Sequence, residues 1–174
     1  DMVHFTANAP NPSDDFRTFG LYFNDKFFGF NATREAITGT GAFEDWEPDA
    51  RREGATKMGA YKVVLHRSLQ YLHDSLSACA SKPHSPSPAL ALWDSGFALF
   101  AGSMEGQDGQ GGGKSVYALS DKRCPQFRTC TVGSGLAAVN VRIVEAWTRG
   151  ATAVSEGRCF DAKVEYDEIV SQVK

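Results

Sequence analysis

A chain of 174 residues with 42% hydrophobic and 22% charged side chains has the size and balance of one globular domain, able to bury roughly 70% of its unfolded surface, which excludes a disordered or fibrous protein. Its 21 acidic and 18 basic residues leave a net charge of -3, so no broad positive field gathers phosphates, and nucleic acid is not an expected partner. No apolar run reaches the roughly 18 to 20 residues needed to cross a bilayer; the longest, residues 89 to 101, is interrupted by Asp94 and Ser95.

Residues 1–18 contain the turn formers of Ala9-Pro10-Asn11-Pro12-Ser13-Asp14-Asp15 and read as an irregular lead-in to a single helical domain spanning 1–174. The chain begins at Asp1, as a processed mature chain or an excised domain would. Residues 19–30 are aromatic without a clean period of two or 3.6, which fits a short helix or turn laid over the core. With twelve phenylalanines in the chain, most are expected inside. Asn31 or Thr33 can cap a short helix through Ile37, stopped by Gly39 and Gly41. Phe43, Trp46 and Pro48 then make a compact aromatic connection.

The clearest local signal runs from Pro48 to Cys79. Met58, Tyr61, Leu65, Leu69, Leu72, Leu76 and Cys79 recur at steps of three and four, one stripe of a bundle helix. Lys82-Pro83-His84-Ser85-Pro86 ends it, and Ser87-Pro88 supplies an N-cap and first turn for the next helix. Residues 89–101 carry Leu90, Leu92, Trp93, Phe97, Leu99 and Phe100 on more than one face and are expected to form a central, mostly buried helix. A Gly-Gln loop follows over residues 104–113, and Ser115 caps another short helix ended by the Cys124–Cys130 segment. From Gly135, Leu136, Val139, Ile143 and Trp147 keep helical spacing, and Val154 to Val173 continue it. One bent helix or two consecutive ones satisfy that pattern, with Gly157 the favoured joint. The expected fold is all-α, an irregular disulfide-stabilised bundle with about four principal helices.

Four cysteines allow three complete pairings, and none lies in a C-x-x-C arrangement. Joining Cys124 to Cys130 across the short Pro125 segment leaves Cys79 and Cys159 as a long-range clasp. Paired cysteines point to an oxidising, secreted or lumenal compartment. Asn31-Ala32-Thr33, a legal N-glycosylation acceptor, points the same way and makes the chain a candidate glycoprotein if Asn31 is on the surface.

No complete catalytic arrangement is present. Gly113-Lys114-Ser115 has the tail of a phosphate loop, but Asp108 replaces the required earlier glycine and the segment follows an apolar helix. Ser134 lacks the G-x-S-x-G elbow. His66 and His73 differ by roughly 20° on a helical wheel and stand about 10 Å apart along the axis, a poorer chelating pair than i,i+4 histidines. An interfacial structural role is their plain reading, and a ligand or metal role the sharper one. Asp94 sits among apolar neighbours, so its carboxylate is expected to be buried and satisfied by Arg123, Arg142, Tyr117, Asn140, a histidine or a cation. Glu145 has Arg142 and Arg149 as helical neighbours and reads as part of a surface charge ladder. A di-iron bundle is disfavoured because the repeated Glu-x-x-His signal is missing. Trp93, Phe97, Phe100 and Trp147 fill the core by default or wall an apolar pocket.

Together these features lead to the expectation of a noncatalytic secreted or lumenal module that binds another protein or joins a larger assembly, with no cofactor favoured. The alternative is a small-molecule or metal-binding domain with an interhelical pocket built from His66, His73, Trp93, Asp94, Glu145 and Trp147, the metal undetermined.

Overall fold

The computed structural model describes residues 14–102 and 112–173. It is an all-α, disulfide-stabilised bundle that divides into two compact units, residues 1–70 and 71–174. Residues 14–18, expected to belong to an irregular lead-in, are helical as part of α1 (Asp14–Tyr22); residues 1–13 of that lead-in lie outside the described part. So does almost all of the Gly-Gln loop, including Asp108.

In the amino-terminal unit α1 is followed by a turn through Asn24, at φ 49°, and then by α2 (Phe28–Thr38). The helix starts three residues before Asn31, so neither Asn31 nor Thr33 caps it. Asp25 does the work instead: its Oδ1 accepts from the Phe27 N–H at 2.8 Å, and its Oδ2 accepts from the Asn31 amide at 2.8 Å. The Thr33 hydroxyl is buried and donates to the Gly29 carbonyl at 2.7 Å. Gly39, at φ 68°, ends the helix in the left-handed conformation that glycine adopts without steric cost, its N–H reaching the Glu35 carbonyl at 2.8 Å. A 3-10 turn (Gly41–Phe43) leads to α3 (Pro48–Lys57), which has proline in its first turn.

The long helix expected from Pro48 to Cys79 is continuous, but its hydrogen-bonding pattern changes along the way. Residues Met58–Val64 are π-helical, and α geometry resumes in α4 (Leu65–Ser81). Widening to i→i+5 bonds slips the phase of the inward face. Val63 and His66 are therefore buried, while Met58, Tyr61 and Leu65 are only half-buried; from Leu69 the expected stripe returns through Leu72 and Cys79.

The carboxy-terminal unit holds the rest of α4 with α5 (Ser87–Ala101), α6 (Val116–Phe127), α7 (Ala138–Ser155) and α8 (Cys159–Val173). Four helices of 15 to 18 residues, α4, α5, α7 and α8, are the principal ones. Ser87 lies inside the first turn of α5 rather than capping it, because Pro86 is already αR and its carbonyl accepts from the Leu90 N–H at 2.8 Å. Ser115 does cap α6: its Oγ accepts from the Ala118 N–H at 3.5 Å and donates to the Ala101 carbonyl at 2.7 Å. Gly157, at φ 70°, separates α7 from α8. These two pack more extensively than any other helix pair among the described residues. Arg149 of α7 forks onto Glu165 of α8 at 2.9 and 2.8 Å, and that bonding raises the guanidinium above its ordinary range.

Both expected disulfides are present. Cys79 joins Cys159 with their Cα atoms 5.7 Å apart, and Cys124 joins Cys130 at 4.9 Å. They are bonds of an oxidising environment. No helix among the described residues is long and apolar enough to cross a membrane.

Candidate functional site

Of the six residues singled out from the sequence, His66 lies in the amino-terminal unit and His73, Trp93, Asp94, Glu145 and Trp147 in the carboxy-terminal one. Trp93 of α5 and Trp147 of α7 are buried against each other in the carboxy-terminal unit, and each indole N–H donates to the other residue's carbonyl, at 3.0 and 3.2 Å. Their rings meet edge to face, with Phe97 and Phe100 packed on Trp147. Two polar N–H groups are thus satisfied inside an apolar cluster, which is what buried tryptophans require. The close approach depends on Gly150, where a Cβ would lie 2.1 Å from the Trp93 ring. These aromatics pack on one another as core.

Asp94 corrects the expectation of a buried carboxylate. It is exposed, and none of its expected partners bonds to it: Arg123 donates to Gln126 at 3.1 Å, while the Asn140 amide donates to the Tyr117 carbonyl at 2.8 Å and to Asp121 at 2.9 Å. The reason lies in α5 itself. Ala89, Trp93, Gly96 and Phe100 form its buried face, and Ala91, Asp94 and Ala98 form an exposed one. Alanines on the wet side conceal an ordinary amphipathic helix. Glu145 is exposed on α7, as a surface ladder requires.

His66 belongs to the amino-terminal unit and His73 to the other. The His66 ring is buried between Phe19 and Phe28, with ring centres 4.5 and 5.5 Å away. His73 is half-buried, its Nδ1 3.8 Å from an Asp74 carboxylate oxygen. Among the described residues no three His, Cys, Asp or Glu side chains assemble as a metal-holding group.

Large apolar side chains remain on the surface instead. Phe43 and Phe100 are buried and Phe19, Phe27, Phe28, Phe30 and Phe97 half-buried, but Phe23, Phe127 and Phe160 are exposed. One feature of this kind is a groove of about 500 Å³ in the amino-terminal unit. Trp46 stands in it 49% exposed, edge to face with buried Phe43 at 4.9 Å. Ala50 and Gly54 of α3 and Met58 and Tyr61 of the π-helical stretch extend the apolar lining. Gly54 admits the Phe43 ring, since a Cβ there would lie 2.9 Å from it. Lys57, paired with Glu53 at 3.1 Å, and Lys62, lying over the Phe19 ring at 5.1 Å, supply the charged border. The sequence signal for this groove is the Phe43-Trp46-Pro48 connection, with Ala50, Gly54, Met58 and Tyr61 following at helical steps of four and three.

The class defined by these observations is a disulfide-stabilised helical bundle carrying an aromatic surface groove. Comparison with protein-family models, with curated proteins and with solved structures finds no match for the chain.

Proposed function

We propose that the chain is a noncatalytic secreted or lumenal module that binds another protein through the Phe43–Trp46 groove. The observation that carries this reading is the half-exposed Trp46 held against buried Phe43 at the head of an apolar groove with a charged border. Tryptophan, tyrosine and methionine are the side chains over-represented in the centres of protein interfaces, and a tryptophan already fixed by a neighbour loses little freedom when a partner covers it. π-helical segments are also frequent at functional sites, and here one supplies two of the lining residues. The disulfides support the secreted or lumenal assignment.

The test is affinity recovery from the native extracellular or lumenal fraction, with the disulfide-intact chain and its Trp46→Ala variant compared side by side. A partner retained by the parent chain and lost from the variant, at equal helicity, supports the assignment. An identical set of proteins on both, or none on either, overturns it.

A further inference from the structure

Charge is spread unevenly along the carboxy-terminal unit. Between Asp121 and Glu145 the chain holds Lys122, Arg123, Arg128 and Arg142 and no acidic residue, although the whole chain is acidic at -3. Asp121 itself is engaged inside the fold: its Oδ1 accepts from the Ala137 N–H at 2.7 Å and from the Asn140 amide at 2.9 Å, and its Oδ2 is shut off from water. Lys122 and Arg128 are exposed and enter no ion pair among the described residues; Arg123 is half-buried and donates to Gln126 at 3.1 Å.

The same stretch keeps two large apolar side chains in water. Phe127, the last residue of α6, is 72% exposed, and Val132, five residues on, is fully exposed. Both belong to a braced tip. Arg128, at φ 56°, turns the chain at the end of α6, in a conformation uncommon for any residue but glycine, and the Thr129 N–H donates back to the Cys124 carbonyl at 3.0 Å. The Cys124–Cys130 disulfide closes this turn, and the next is pinned by the Cys130–Ala137 bridge and by the Thr131 N–H on the Leu136 carbonyl at 2.7 Å. A lone exposed apolar side chain is ordinary. Two on one braced tip, among unpaired cations and without an acid between them, combine the two attractions that hold a peripheral protein on an anionic bilayer: apolar side chains for the headgroup–acyl boundary and cations for the headgroup phosphates.

We infer that the Phe127–Val132 tip is a membrane-contact site, seating Phe127 and Val132 in the interface of an anionic bilayer while Lys122, Arg123 and Arg128 meet its headgroups. Such binding is peripheral and reversible, because two side chains bury far less than a spanning helix. The site lies in the carboxy-terminal unit and does not depend on the proposed protein-binding groove.

Co-flotation of the full, disulfide-intact chain with vesicles of pure phosphatidylcholine, and of phosphatidylcholine and phosphatidylglycerol in equal parts, tests the site at about 0.1 M salt. Binding to the mixed vesicles should exceed that to pure phosphatidylcholine at least about tenfold, since each cation brought to the surface contributes about fivefold. Phe127→Ser and Val132→Ser should each weaken it about threefold or more. Lys122→Gln combined with Arg128→Asn, asparagine being tolerated in the left-handed conformation, should weaken it about twentyfold. Arg34→Gln combined with Arg52→Gln removes the same charge from the amino-terminal unit and should leave binding within about twofold. Far-ultraviolet circular dichroism checks that helicity is equal across the variants. No binding to the mixed vesicles overturns the site, as does an equal loss in the Arg34 and Arg52 variant. Binding that needs the cations but ignores Phe127 and Val132 overturns the insertion, and retention on a sulfated polysaccharide without flotation overturns the lipid assignment.

Discussion

The two units of this chain treat their tryptophans in opposite ways. In the carboxy-terminal unit Trp93 closes on Trp147, as Cys79 does on Cys159 and Cys124 on Cys130. In the amino-terminal unit Trp46 keeps half its surface in water. The same residue type therefore does different work: a tryptophan satisfied at its N–H and covered on its faces stabilises, whereas one supported at an edge and left open is available for recognition.

The strongest way to break this contrast is Trp93→Ala. Loss of a fully buried tryptophan costs about 3–5 kcal/mol, and the Trp147 N–H loses the support that holds its acceptor in place. Chemical denaturation of the variant should show that loss in full; a change below about 1 kcal/mol would mean that the reciprocal pair is not a stabilising element.

The disulfides sharpen the contrast next. Cys79 and Cys159 are 80 residues apart and Cys124 and Cys130 only 6, so chain-entropy reasoning gives about 4.5 kcal/mol for the first and about 2.4 for the second. Replacing each pair by serine and comparing the denaturation free energies should reproduce that order. The reverse order would assign the main constraint to the short Cys124–Cys130 loop.

The smallest effects belong on open surfaces. Trp46→Ala should cost no more than about 1.5 kcal/mol, the scale of its edge-to-face contact with Phe43 plus a partly exposed ring. Asp94→Asn should stay within about 0.5 kcal/mol, because its carboxylate faces solvent. Thermal melts check both, and a loss at Trp46 equal to that at Trp93 would erase the distinction between the two units.

The features legible in the sequence are those fixed by local chemistry. Ser115 caps α6, Gly157 separates α7 from α8, and the short spacing of Cys124 and Cys130 left Cys79 and Cys159 to each other. What was missed needed information from beyond the local pattern. Asp25, not Asn31 or Thr33, organises the start of α2 from a turn whose aromatic neighbours gave no period. Asp94 was misplaced because Ala91 and Ala98 count as apolar in a pattern yet lie exposed in the fold. The candidate site was the least legible part: Met58 and Tyr61 belong to a stripe that reads as core yet are only half-buried along the groove, while the π-helical widening that accompanies the burial of Val63 and His66 leaves the stripe looking uninterrupted.

The placement of the three tryptophans also has an optical consequence. Trp93 and Trp147, with ring centres 6.3 Å apart and planes at 67°, are near enough for their excited states to couple, and both are sealed from water. Trp46 alone meets solvent. Iodide, which does not enter a packed interior, will quench the red edge of the emission from Trp46 and leave the blue component of the pair untouched, while near-ultraviolet circular dichroism follows the pair. The chain thus carries separate built-in reporters for its groove and its core, readable without a label.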